Sequence, residues 1–84
     1  MITEQHLIDY GFTKEVVLMD ESGMDYDFYY YSYTIGNLDF LSCESDMAKK
    51  YNGQWTVQIL EGDIELTDWN DLKKVLDTLR IYEL

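Results

Sequence analysis

Tyr26-Asp27-Phe28-Tyr29-Tyr30-Tyr31-Ser32-Tyr33-Thr34-Ile35-Gly36-Asn37-Leu38-Asp39-Phe40-Leu41-Ser42-Cys43 is the stretch whose reading decides the fold. Aromatic and β-branched side chains suit a pleated, half-buried surface, and Gly36-Asn37 is a two-residue loop of the type II′ or I′ hairpin kind. A strand starting near Tyr26 therefore turns back into another running from about Leu38 to Cys43. The short loop also fixes the register, pairing Ile35 with Leu38 and Tyr33 with Phe40. Tyr31, Tyr33, Ile35, Leu38 and Phe40 then share one face, the expected core face. The other face carries Phe28, Tyr30, Ser32, Thr34, Asp39, Leu41 and Cys43, which is poor in charge for a solvated sheet, so a cover over it is expected.

Upstream, residues 14–19 are rich in β-branched and apolar types, and Asp20-Glu21-Ser22-Gly23 is turn chemistry that ends a first strand near Met19. Ahead of that strand, Thr3 can cap a helix over about residues 4–10. Ile2 and Leu7 occupy staple positions, Gly11 sits at C′, and Phe12 is placed to pack back on Leu7. Downstream, residues 44–50 read as an irregular connection or a short helical turn. Asn52-Gly53 is a turn before a fourth strand marked by Trp55, Val57 and Ile59. Glu61-Gly62-Asp63 allows a reversal into a brief strand, Ile64-Glu65-Leu66, expected at a sheet edge. Thr67 or Asp68 caps a last helix whose stripe is Leu72, Val75, Leu76 and Leu79, with Trp69 and Tyr82 at its ends. This order predicts an α+β fold: a four- to five-stranded antiparallel sheet with a short N-terminal helix and a C-terminal helix on one face.

Eighty-four residues with no proline and no change of composition leave no room for a linker, so residues 1–84 read as a single acidic domain. A hydrophobic fraction of 46% is too high for a disordered acidic tail, even at a net charge of −11. Cys43 is the one cysteine, which excludes an internal disulfide and a Cys-x-x-Cys site and fits a reducing cytoplasm. The first residues lack the basic and apolar regions of a signal peptide, and no apolar run approaches membrane-spanning length. No membrane partner is expected.

Catalysis requires a nucleophile with its base, convergent acids and bases, or a metal. One His, one Cys and no nucleophile-elbow or phosphate-loop spacing supply none of these, and no pair of carboxylates can be named for two-carboxylate chemistry. A non-enzyme without catalytic residues, cofactor or metal is the expectation. His6 reads as an exposed side chain on the polar side of its helix. Cys43 reads as a small strand residue, with no neighbouring base to lower its pKa. Residues 20–27 lack the spacing and distal Glu of a calcium loop and read as a solvated hairpin loop. Lys49-Lys50 reads as a solvated pair. Tyrosines 26, 29, 30, 31 and 33 would need a basic groove beside them to stack single-stranded nucleic acid, and the chain lacks one, so direct nucleic-acid binding is not expected.

The distribution of charge is more informative. Between Lys14 and Lys49 there are eight acids and no base, and between Lys50 and Lys73 five acids and no base. That segregation predicts a strongly negative end or face, which would speed association with a basic protein, and nucleic-acid channels are the surfaces most often basic. The residues expected to carry such binding are Asp20, Glu21, Asp25, Asp27, Asp63, Glu65 and Asp68. Placed densely enough, they would imitate the phosphates of duplex DNA. Acidic surface also serves solubility alone.

Leu7-Ile8-Asp9-Tyr10-Gly11-Phe12, Trp55-Thr56-Val57-Gln58-Ile59 and residues 71–79 together resemble short uncharacterised proteins of bacterial phages and mobile elements. These are core and cap positions, so the resemblance transfers no functional residue. It implies a class of small acidic proteins that includes anti-CRISPR and anti-restriction inhibitors, some of which act as DNA mimics. The rival expectation is a structural or accessory homodimer formed through the uncharged outer sheet face, around Tyr30, Ser32, Thr34, Leu41, Thr56 and Gln58.

Overall fold

The aromatic hairpin forms with the register its loop dictates. In the computed structural model, which describes residues 1–23, 27–59 and 63–83, β2 (Phe28–Ile35) pairs antiparallel with β3 (Leu38–Ser42), Ile35 opposite Leu38 and Tyr33 opposite Phe40. On its other side β2 pairs with β1 (Thr13–Val17), and β3 pairs with β4 (Val57–Ile59), which pairs with β5 (Ile64–Leu66). All pairings are antiparallel and the spatial order is β1-β2-β3-β4-β5. The sheet is a five-stranded meander with β1 and β5 at its edges.

Two helices cover one face. α1 (Glu4–Tyr10) begins in a full capping box: the His6 N–H donates to Thr3 Oγ1 at 3.2 Å and the Thr3 N–H to His6 Nδ1 at 3.1 Å. It ends at Gly11, whose φ of +112° requires the left-handed region, and the Phe12 N–H reaches back to the Leu7 carbonyl at 3.0 Å. α4 (Trp69–Glu83) starts where Asp68 Oδ2 accepts from the N–H groups of Asn70 and Asp71, which identifies Asp68 as the cap. The two helices run side by side. The Tyr10 hydroxyl donates to Asp77 at 2.8 Å, and the His6 ring stacks on Trp69 with centroids 4.7 Å apart.

Beneath them lies the core of Leu7, Phe12, Tyr31, Ile35, Phe40, Trp55, Val57, Ile59, Leu72 and Leu76, with Ile2 and Ala48. Tyr33, Leu38, Val75, Leu79 and Trp69 pack partly buried against it. The expected core face and helical stripe are both in place. Trp55 lies ahead of β4 and forms a lone bridge with Ile2.

Two local expectations change, and between them the alternative left open for residues 44–50 resolves to the helical one. The first strand stops at Val17 because Met19–Ser22 closes a helical turn, α2, whose first N–H is accepted by Asp27 Oδ1 at 2.7 Å. Residues 45–50 form a helix, α3 (Ser45–Lys50), which buries Ala48 and is followed by Asn52 and Gly53 at positive φ. His6 is half-buried rather than exposed, since Trp69 lies flat over its ring and its Nδ1 is engaged in the cap. Among the described residues no helix is long and apolar enough to cross a membrane.

Candidate binding face

Strand alternation divides the side chains of the sheet into two sets. Lys14, Val16, Tyr29, Tyr31, Tyr33, Phe40 and Val57 point toward the helices. Glu15, Val17, Phe28, Tyr30, Ser32, Thr34, Asp39, Leu41, Gln58 and Glu65 point away. The second set is partly open: Thr34, Asp39, Leu41, Gln58 and Glu65 are exposed, while Glu15, Val17, Phe28, Tyr30 and Ser32 are half-buried. Among the described residues the expected cover is therefore partial, with Met47 and Tyr51 bordering the face beside Gln58 and Glu65. Leu41 is 44% exposed near its middle.

This open face bears three strand carboxylates and no base, and each carboxylate is held by a neutral neighbour. Ser32 Oγ donates to Glu15 at 3.3 Å, Thr34 Oγ1 to Asp39 at 2.8 Å, and Gln58 Nε2 to Glu65 at 3.2 Å. Neutral donors orient a carboxylate without cancelling its charge. Glu15 lies on edge strand β1, Glu65 on edge strand β5, and Asp39 near the hairpin end of β3, so the charges ring a neutral centre of Tyr30, Ser32, Leu41, Thr56 and Gln58.

The bases lie elsewhere. Lys14 turns to the helix side, its Nζ 4.1 Å from the centre of the Tyr29 ring. Lys49 and Lys50 are on α3, and Lys73, Lys74 and Arg80 on α4. Acids occur on both layers, among them Glu4 on α1 and Asp71 and Asp77 on α4, whereas no strand places a base on the open face.

The seven acids expected to act together do not form one patch. Asp20 lies in α2 and Asp27 just before β2, both exposed at the end of the sheet where β1 finishes. Glu21 is also in α2, and Asp25 lies outside the described residues. Glu65 stands on the opposite edge strand; four strand steps of roughly 4.8 Å separate β1 from β5. Asp63 is in the turn at the other end of the sheet. Asp68 is committed to the α4 cap and to the N-terminal ammonium group at 3.3 Å. That ammonium group and the Asp71 N–H hold the Asp68 carboxyl below its ordinary value. Lys49 shares a hollow with Glu4, Asp27 and Asp46, which dilutes the negative charge at the α3 end.

Of the six residues expected on the outer face, Tyr30, Ser32, Thr34, Leu41 and Gln58 lie there by register and Thr56 by alternation from Val57. Residue-level reading missed Glu15 as a member of the face, together with Met47 and Tyr51. These two, four residues apart and hence on one side of α3 and its end, line a groove of about 940 Å³ beside Cys43, Glu44, Thr56, Gln58 and Glu65. Their spacing was the available signal.

The buried hydroxyl chemistry is on the helix side. The Tyr31 hydroxyl donates to Glu4 Oε2 at 2.6 Å, and burial, reinforced by Glu4, pushes its pKa well above the ordinary tyrosine value. Tyr29 is raised by the same causes in the same order, and Tyr10 chiefly by burial. The Tyr31–Glu4 contact ties α1 to the sheet. Among the described residues no three His, Cys, Asp or Glu side chains converge as a metal site would require. Comparison with family models, curated proteins and solved structures gave no match to this chain.

Proposed function

We propose that this domain is a non-enzymatic protein-binding module whose open sheet face engages a basic surface, in the manner of a phage-type inhibitor that occupies a nucleic-acid-binding channel. The observation that carries this reading is the outer face itself: three carboxylates held by neutral neighbours, no base, and a neutral, partly apolar centre. Rim charges steer a basic partner and set its orientation, while Leu41 and Tyr30 offer the desolvated contact that affinity needs. Asp20 and Asp27 extend the negative charge at the α2 end of the sheet.

The test is capture of partners from a bacterial lysate on the immobilised protein at low salt after nuclease treatment, followed by elution with duplex DNA. Release of a nucleic-acid-binding protein by DNA and by salt, together with loss of capture by the triple variant Glu15→Gln/Asp39→Asn/Glu65→Gln, is the expected result. Capture indifferent to competitor and variant alike would refute the reading.

Exposed Leu41 on a partly open sheet face favours a second reading, a homodimer through the same face. Salt separates the two. Opposing acidic rims repel, so self-association would strengthen as salt rises, whereas binding to a basic partner would weaken. Sedimentation across a salt series reads the sign directly.

A further inference from the structure

We propose that the groove between α3 and the β4–β5 edge is the specificity pocket of this face and takes an arginine-bearing segment of the partner protein; the inference rests on the binding face described above. At about 940 Å³ the groove is large enough for several residues of peptide. Its walls combine Met47, 40% exposed, and Tyr51, 57% exposed, with the carboxylates of Glu44 and Glu65, and no base lines it.

Hydrogen bonding narrows the choice of ligand beyond what charge alone sets. Several of the groove's donors are engaged within the protein. Gln54 Nε2 donates to the carbonyls of Trp55 at 2.9 Å and Thr67 at 2.8 Å, Gln58 Nε2 donates to Glu65, and Ser42 Oγ donates to the Cys43 carbonyl. The Cys43 N–H is bonded to the Thr56 carbonyl. These bonds fix both amides with their nitrogens toward protein acceptors, which leaves each Oε1 as an acceptor. A site with two carboxylates, two amide oxygens and no base, in which both N–H groups of the Gln54 amide and one of the Gln58 amide already meet protein acceptors, suits a ligand rich in donors. Guanidinium, with five N–H groups, is that ligand among side chains. Its plane also stacks on an aromatic face, which Tyr51 offers, and it is more weakly hydrated than the ammonium of lysine.

A second copy of the chain is a poor source of this group. Its one arginine, Arg80, is on the helical layer with Nη1 3.4 Å from the Tyr10 hydroxyl. The occupant is therefore a different protein.

The experiment is a titration of the isotope-labelled protein with a capped tetra-arginine peptide, and with its lysine counterpart, followed by amide chemical shifts. The expected shifts centre on Cys43, Met47, Tyr51, Thr56 and Gln58, with the lysine peptide weaker. Glu44→Gln/Glu65→Gln should weaken the arginine peptide roughly tenfold or more, the scale of losing a charge-assisted hydrogen bond, and Glu15→Gln/Asp39→Asn much less. Tyr51→Ala, which leaves every charge in place, should weaken it several-fold. Retained signal dispersion in each variant verifies folding. Shifts spread over the whole face, equal losses from the two acid pairs, or equal binding of the lysine peptide would overturn the arginine pocket and leave the acidic docking face standing. Absence of saturable binding would also overturn the pocket, while DNA-competed capture tests the face independently.

Discussion

A few side chains hold disproportionate responsibility in a domain this small. Thr3 satisfies an N–H that α1 cannot satisfy itself, while His6 returns the bond and stacks on Trp69, so one cap joins the first helix to the last. Thr3→Ala should cost about 1 kcal/mol, measured by denaturant unfolding. Asp68 is the other joint. Its lowered carboxyl pKa means that its contribution is present above the ordinary carboxylate value and is lost as pH falls through the lowered one. A carboxylate-detected titration should therefore find Asp68 ionising below the ordinary aspartate value, and Asp68→Asn, which keeps a capping side chain, should flatten the acid limb of the stability curve.

Elements differ in how far the sequence specified them. The register of the β2–β3 hairpin was legible because a two-residue loop leaves one sensible pairing, though β3 ends at Ser42, and the caps of α1 and α4 were legible, the latter to within Thr67 or Asp68, because they are local. The pairing of β1 was not. Its connection to β2 spans residues 18–27, too long to impose a register, and the outward position of Glu15 went unread with it. His6 was misread for a related reason: Trp69, the residue that covers it, is sixty-three positions away. The candidate acids were visible as a run, yet a meander sends successive loops to opposite ends of the sheet, so proximity along the chain scattered in space. α2 is the least secured element, a four-residue turn held from outside by Asp27. In Asp27→Ala the α2 amides should exchange at rates close to those of an open chain while those of β2 and β3 remain protected, a contrast that native-state hydrogen exchange resolves.

At the scale of the whole molecule, a net charge of −11 on 84 residues opposes compaction, so added salt should raise the thermal midpoint before any specific ion effect enters. A midpoint indifferent to salt would overturn this expectation. Alkaline pH should act in the opposite direction. Tyr10, Tyr29 and Tyr31 all have pKa values raised above 10.0 in the folded state, so the native form keeps protons that the unfolded chain has released. Their contribution is intact below pH 10.0 and is lost as pH rises through the raised values. Unfolding followed by circular dichroism along an alkaline series should show that decline, with a shallower slope in Tyr31→Phe.

The strictly sequential order of the strands has a kinetic consequence. Every ladder in the sheet joins neighbours along the chain, so each can zip from the one before it at little loop-closure cost. Without proline, the chain has no slow prolyl isomerisation to wait for. Contacts that span the chain include the clasp of α1 on α4, through Tyr10 with Asp77 and His6 with Trp69, and the Met1 ammonium on Asp68. During synthesis α4 emerges after the whole meander, so until it forms the inner face of the sheet lacks Leu72 and Leu76 and is covered from the N-terminal side alone.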